Sequence, residues 1–393
     1  MADFVTRLVT WQKAHGRHDL PWQLSRDPYR VWLSEIMLQQ TQVNTVMAYY
    51  QRFLERFPTV ESLAAVTQEE LMPYWAGLGY YARARNLHRC AQIICQEFAG
   101  QFPSDPEALQ SLPGIGKSTA NAIAAFCFNA PTPIMDGNVK RVFTRYYGIT
   151  GTGSATEKQL WHQAYVNAQG QVGLGSYNQA LMDLGSSICK RSKPQCTSCP
   201  LQQDCFAFKH NAQAELPTRK VKKSIPTRHC HMLVLQKGSQ VLLQTRPSKG
   251  IWGGLLSLPE FVDASELEQS LQAQGLALGQ SMAAFEHVFS HFRLIIQPQL
   301  VQLGSASIEQ AVDNYRINGN EHEGEHRGKH VNEHEGELIT RSPQAKPPKT
   351  HSPTLSIHES SAQLVGDWYD IEQAEALALP APVLKILQGV RDL

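Results

Sequence analysis

Four cysteines, Cys189, Cys196, Cys199 and Cys205, fall within seventeen residues in the pattern C-x6-C-x2-C-x5-C. Four thiolates this close can wrap one compact cluster or one tetrahedral ion. Zinc sites often use two C-x2-C pairs, whereas a single pair with wider flanking gaps suits a [4Fe–4S] cluster better. Lys190, Arg191 and Lys193 lie between the first two cysteines. A metal-anchored loop there would present three cations, either to a phosphate backbone or simply to solvent. Cys90, Cys95, Cys127 and Cys230 lack such spacing and read as core residues.

A second motif is LPGIGKSTA, which contains Gly114, Gly116, Lys117 and Ser118. Pro and two Gly make a tight hairpin, and a helix-like run follows. Glycine lets a backbone approach a ligand closely, and the N–H groups opening a helix attract an anion. Such a grip on phosphate ignores base sequence, and Lys117 would add charge. An ordinary connection between two helices would give the same string.

Two carboxylates complete the set. Glu35 sits in YRVWLSEIMLQQ. On a helix, Trp32, Leu38 and Gln39 share its face. A carboxyl beside Trp and Leu has its pKa raised, which suits a general acid. Asp136 ends the apolar run PIM and precedes GNVKR. It is placed to cap the next helix, and a cap also fixes a side chain in position.

The elements that carry these residues read as mostly helical over residues 1–210. Apolar residues recur at helical spacing around 31–46 and 120–128, punctuated by Pro and Gly. Residues 211–228 are basic and poor in core formers, as expected of an interdomain linker. Residues 229–393 turn to strands: 231–236 and 240–245 flank a Lys-Gly-Ser turn, with further strands at 289–298 and 364–371 and a closing helix at 382–390. This predicts a small α+β domain. Residues 305–358 interrupt it with a His-, Glu- and Gly-rich insertion, in which His322, His326, His330 and His334 fall four apart. Their helical spacing could bind metal, but Gly324, Gly328 and Gly336 oppose a helix and favour a solvated insertion.

Lys plus Arg is 36 and Asp plus Glu 35, a formal net charge of +1, so a polybasic protein is excluded. Any nucleic-acid binding must use a local basic surface. The N-terminus lacks the apolar run of a signal peptide, and no window is long enough to span a bilayer, so no membrane contact is expected. With no export signal, crowded cysteines favour metal over disulfides.

The strings VWLSEIMLQQTQV, WAGLGYYARARNLH, LPGIGKSTA, PIMDGNVKRV and NQALMDLGSSIC, with the cysteine spacing, resemble the helix-hairpin-helix, iron–sulfur DNA glycosylases. Within them the likeness is to the adenine-specific, MutY type. It covers residues 1 to about 210 densely and resumes at 246–261 and 287–294. The insertion matches nothing in the family. The resemblance implies a helix-hairpin-helix glycosylase domain with an iron–sulfur cluster loop, followed by a Nudix-like domain. That second domain lacks the acidic REUxEE helix of working Nudix hydrolases, which implies binding rather than hydrolysis.

The same resemblance implies roles. Glu35 would protonate an adenine flipped from a mispair with 8-oxoguanine or guanine in double-stranded DNA, and Asp136 would stabilise the cationic sugar. Trp22 and Gln179 would line the adenine pocket, each with core packing as the plainer alternative. Gln40 and Tyr80 would wedge the base stack, and Ser290 and His291 would read the 8-oxoguanine. The sister endonuclease III type has a lysine nucleophile where this chain has Ser118, which implies a monofunctional enzyme. Its expected form is a monomer, placed in the cytoplasm on chromosomal DNA.

Overall fold

The computed structural model describes residues 3–171, 173–219, 224–304 and 364–392. The expected insertion 305–358, with its histidine ladder, lies outside them. The chain divides into two compact units, Met1–Ser224 and Ile225–Leu393.

The first unit is helical: α1 (Phe4–His15), α2 (Pro28–Leu38), α3 (Val43–Arg56), α4 (Val60–Ala64), α5 (Gln68–Trp75), α6 (Ala82–Glu97), α7 (Pro106–Ser111), α8 (Lys117–Phe128), α9 (Gly137–Tyr147), α10 (Ser154–Ala168), α11 (Gly175–Ser187) and α12 (Phe206–Lys209). Local chemistry starts many of them. Asp27, Thr59, Thr67, Asp105 and Asp136 each cap a helix by accepting from a first-turn N–H. Val139, Phe143, Tyr177, Leu181 and Leu184 bury the faces where α9 and α11 meet, with Leu8 of α1 against them. That crossing is close, since a Cβ on Gly185 of α11 would lie 2.6 Å from Asn138 Cβ.

The periodic stretch 31–46 is two helices rather than one. Residues 39–42 break it, with Gln40 in the left-handed region at φ 60°. The expected linker 211–228 is also divided. Ala212 and Leu216 are buried on Ala207, and Arg145 donates to Gln213 O and Leu216 O, so 211–219 belongs to the helical unit. Residues Thr227 and Arg228 already pair in a strand. The basic residues in between, Lys220, Lys222 and Lys223, lie outside the described ones.

The second unit holds β1 (Thr227–Lys237), β2 (Gln240–Thr245), β3 (Leu256–Ser257), β4 (Glu260–Phe261), α13 (Ala264–Ala273), β5 (Gln280–Ser281), β6 (Phe285–Val288), β7 (Arg293–Gln302), β8 (Asp367–Asp370) and α14 (Ala381–Arg391). The expected β1–β2 hairpin is present. Beyond it, β1 runs parallel to β7 over ten residue pairs, from Thr227↔Arg293 to Gln236↔Gln302. β8 joins the other side of β2. Leu233, Leu235, Leu242, Leu267, Leu303 and Leu364 share one core.

Candidate active site

Glu35 stands in the middle of α2, half-buried, on a helix anchored by wholly buried Trp32 and Leu33. Burial pushes its carboxyl up to about 7, and the negative charge of Asp136 pushes the same way. The structure therefore brings together two carboxyls that lie 101 positions apart in sequence.

Asp136 is the N-cap of α9. One carboxylate oxygen accepts from Val139 N–H at 2.7 Å and the other from the Asn138 amide at 3.2 Å. Burial raises its pKa, while these two donors and the Arg141 cation oppose the rise. Among the described residues the Glu35 carboxyl makes no hydrogen bond. The two groups thus differ: one is desolvated, the other is desolvated but held by donors and a helix N-terminus, which favour its anion.

The segment leading into Asp136 is fixed by side chains. Buried Asn121 donates to Pro133 O at 2.7 Å. Buried Asn178 donates to Thr132 O at 2.9 Å and accepts from Ile134 N–H at 3.3 Å. Met135 N–H donates to Ser118 Oγ at 3.0 Å. The Ser118 hydroxyl thus positions the residue before Asp136. The neighbouring Lys117 lies with its Nζ 4.3 Å from the Trp161 ring centre and 5.0 Å from that of Tyr165. Gly114 takes φ +79°, and a Cβ there would meet Asn86 Cβ at 2.9 Å, so the hairpin requires glycine. Gly116, the N-cap of α8, faces open space.

Gln40 and Tyr80 are both exposed, and both have left-handed backbones, at φ 60° and 49°. That conformation costs a side-chain-bearing residue about 1–2 kcal/mol, so tertiary contacts must impose it. Trp22 is buried edge-on against Tyr50, with ring centres 5.4 Å apart. This is the packing alternative anticipated for it. Gln179 is half-buried and donates its amide to Asp183 at 3.0 Å, and buried Asp183 is paired with Arg17 at 2.7 Å.

The four cysteines line one narrow cavity with Arg145, Ile188, Pro194, Ala207 and Phe208. Among the described residues no three metal-binding side chains are gathered closely enough to hold a single ion. The cysteines are free of disulfides, and burial pushes the Cys199 thiol up to about 12. Four clustered thiols with a guanidinium 3.4 Å from Cys189 Sγ are a donor set that fits a thiolate-bound cluster. Arg145 also donates to Lys190 O at 2.7 Å and Arg191 O at 3.2 Å, leaving Lys190, Arg191 and Lys193 exposed. A chain of bonds joins this loop to the carboxylate. Asn138, which holds Asp136, accepts from Arg141 at 2.7 Å, and Arg141 donates to Cys189 O at 2.7 Å.

In the second unit, Ser290 and His291 are exposed at the tip of the β6–β7 hairpin. Beneath them Phe289 stacks on Phe292 at 4.6 Å and meets Trp252 at 5.3 Å. Ser290 Oγ lies 3.4 Å from His291 Nδ1.

Arg83, Asn121, Asn178, Arg141 and Arg145 escaped the sequence reading. One signal was available: Arg83 falls in the buried stripe of α6 with Leu87, Cys90, Ala91 and Ile94.

Comparison with known proteins bears on this arrangement. Residues 33–164 match the HhH-GPD superfamily of base excision DNA repair proteins, and residues 230–336 match the NUDIX domain. The adenine DNA glycosylase of Buchnera aphidicola subsp. Baizongia pistaciae (strain Bp) is 38% identical over 308 residues, 78% of this chain and 88% of that one. The adenine DNA glycosylase of Homo sapiens is 33% identical over 361 residues, covering 74% and 65%. Among solved structures, a thermostable thymine-DNA glycosylase is 28% identical with a TM-score of 0.48, covering 53% of this chain and 95% of that one. The expected pairing of a helix-hairpin-helix glycosylase domain with a Nudix-like domain is therefore present, and among the described residues no helix is long and apolar enough to cross a membrane. With these relatives matched over most of their length, the chain belongs to the adenine DNA glycosylases, DNA N-glycosylases of base excision repair.

Proposed function

We propose that the protein is a monofunctional adenine DNA glycosylase acting on adenine paired with 8-oxoguanine or guanine in duplex DNA, as a monomer. The observation that carries the reading is the unequal carboxyl pair. With its pKa near 7, Glu35 keeps a proton that ordinary glutamates lose. It gives that proton to N7 of an adenine extruded from the stack. The C1′–N9 bond then breaks, its electrons leave with the base, and positive charge grows on the deoxyribose. Asp136, held as an anion by Val139 N–H and the Asn138 amide, faces that charge. Water adds at C1′ and passes a proton to the Glu35 carboxylate, restoring the acid, as in glycoside hydrolysis by paired carboxyls.

Ser118 supports hydrolysis over amine attack. It offers a hydroxyl already bonded to Met135 N–H, and the adjacent Lys117 amine is held over Trp161 and Tyr165. Gly114, Gly116 and Lys117 present the hairpin backbone to a phosphate, while Gln40 and Tyr80 fill the gap the base leaves. Gln179, with its amide nitrogen engaged by Asp183, offers its oxygen to an exocyclic amine, and Trp22 supports the pocket from the packed side. Ser290 and His291 supply a donor and an acceptor for the N7–H and O8 that distinguish 8-oxoguanine. Cys189, Cys196, Cys199 and Cys205 would hold a [4Fe–4S] cluster, and so held they would fix the loop that carries Lys190, Arg191 and Lys193 against the DNA backbone.

The test is base release from duplexes with adenine opposite 8-oxoguanine, guanine, cytosine or thymine. Release confined to the first two is expected, and equal release from all four would refute the mispair reading.

A further inference from the structure

We propose that Arg83 is a positioning residue that makes Gln40 and Tyr80 act as one two-pronged wedge and ties that wedge to the helix carrying Glu35. The inference rests on the wedge role proposed above. Arg83 is 8% exposed, and its guanidinium spans three stretches of chain, two through backbone carbonyls and one through a threonine hydroxyl. Nη1 donates to Ile36 O at 2.9 Å and Met37 O at 2.7 Å, at the C-terminal end of α2. Nη2 donates to Thr41 Oγ1 at 3.1 Å, just past Gln40. It also donates to Leu78 O and Gly79 O, both at 3.1 Å, just before Tyr80. The guanidinium carbon lies 5.3 Å from the Trp75 ring centre and 5.6 Å from that of Tyr80.

Both prongs have left-handed backbones without being glycine, so neither conformation holds itself. Each is flanked by atoms that Arg83 binds. One planar fork therefore fixes the direction of both side chains relative to each other. Because Ile36 follows Glu35, it fixes them relative to the acid as well. A lysine would keep the charge but offers one point donor in place of two spread nitrogens, and could not bridge all three stretches. The Tyr80 loop keeps other anchors, Tyr49 O–H to Ala76 O at 2.7 Å and Trp75 Nε1–H to Gly79 O at 3.3 Å, so the fold does not depend on Arg83 alone.

The experiment compares the full-length wild type, Arg83→Lys and Thr41→Val. A duplex with 2-aminopurine opposite 8-oxoguanine, saturated with protein, reports unstacking by its fluorescence rise. Single-turnover adenine release, duplex affinity and thermal melting are measured alongside. Arg83→Lys should keep its melting profile and affinity yet lose most of the fluorescence rise, with release slowed on the order of 10²-fold, as for a misplaced reacting geometry. Thr41→Val, which removes only the bond beside Gln40, should show a smaller loss of the same kind. A wild-type fluorescence rise in Arg83→Lys would overturn the proposal. If Arg83→Lys fails to fold, a wild-type rise in Thr41→Val would overturn it instead. If the wild type itself neither unstacks the probe nor releases adenine, the glycosylase reading fails first and takes this inference with it.

Discussion

Replacing Glu35 by glutamine should make the protein more stable at alkaline pH while removing its activity. The carboxyl is raised from 4.5 to about 7 by burial and by Asp136. Because the folded-state pKa lies above the unfolded one, the protonated carboxyl contributes stability that is fully present below about 4.5. That contribution is lost as pH rises through about 7. A shift of this size is worth roughly 3 kcal/mol in full, of which about 2–3 kcal/mol falls between pH 5 and pH 9. An amide of the same shape carries no such pH dependence. In a helical unit of this size the difference corresponds to roughly 5–10 °C in melting temperature. The assay is paired melts of wild type and Glu35→Gln from pH 5 to 9, in which most other titrations cancel. Single-turnover release is followed over the same range. Wild-type release should fall about tenfold per pH unit above 7, and the variant should lose at least ~10²–10⁴ at every pH while still binding the mispair. A gap in melting temperature that does not widen with pH would show that Glu35 titrates normally and would remove the basis for its role as acid.

Other expectations follow from the same geometry. Asp136→Asn should retain unstacking of the target base but slow its release by about 10²-fold or more, since the anion facing the sugar is gone. Wild-type rates from that variant would refute its role. Purified protein should be yellow-brown, with about four irons and four sulfides per chain. Colourless protein with one bound zinc would overturn the cluster. Asn178→Ala leaves Thr132 O and Ile134 N–H without their amide partner and should cost about 2 kcal/mol or more in chemical denaturation, with slower release because Asp136 loses its support. An unchanged midpoint would count against the clamp. Ser290→Ala combined with His291→Ala should narrow the preference for 8-oxoguanine over guanine by ~1–3 kcal/mol in release kinetics. Equal slowing on both substrates would indicate general docking instead.

What was legible in the sequence was local. The cysteine spacing, the glycine hairpin and the cap at Asp136 are each written within seventeen or fewer consecutive residues. The acid character expected of Glu35 followed from its helical neighbours, and the structure adds the charge of Asp136 as a second cause. What stayed hidden was binding to backbone. Arg83, Arg145 and Asn178 each bind carbonyls or N–H groups 44 or more positions away, and every residue type carries those groups. The break at residues 39–42 was hidden for the same reason. No glycine or proline marks it, and a buried arginine contributed by α6 binds groups just before and within it. The basic stretch after 210 looked like linker because Ala212 and Leu216 are too few to show a period, although they complete a small core with Ala207.

The sheet of the second unit has a further consequence. Leu303, just after β7, and Leu364, just before β8, meet in one core although 61 positions separate them in sequence. Next to them, β7 lies along β1 and β8 along β2, so each leucine is held beside a ladder made by other parts of the chain. The free-energy cost of bringing two points of a flexible chain together grows only with the logarithm of their separation, about 0.6 kcal/mol for each doubling. That is less than the gain from burying a single methylene group, about 0.8 kcal/mol. Relatives could therefore double or halve the sequence between these two leucines at a cost of about 0.6 kcal/mol. Variation in chain length within such a family should collect at this junction, where selection on stability hardly registers it.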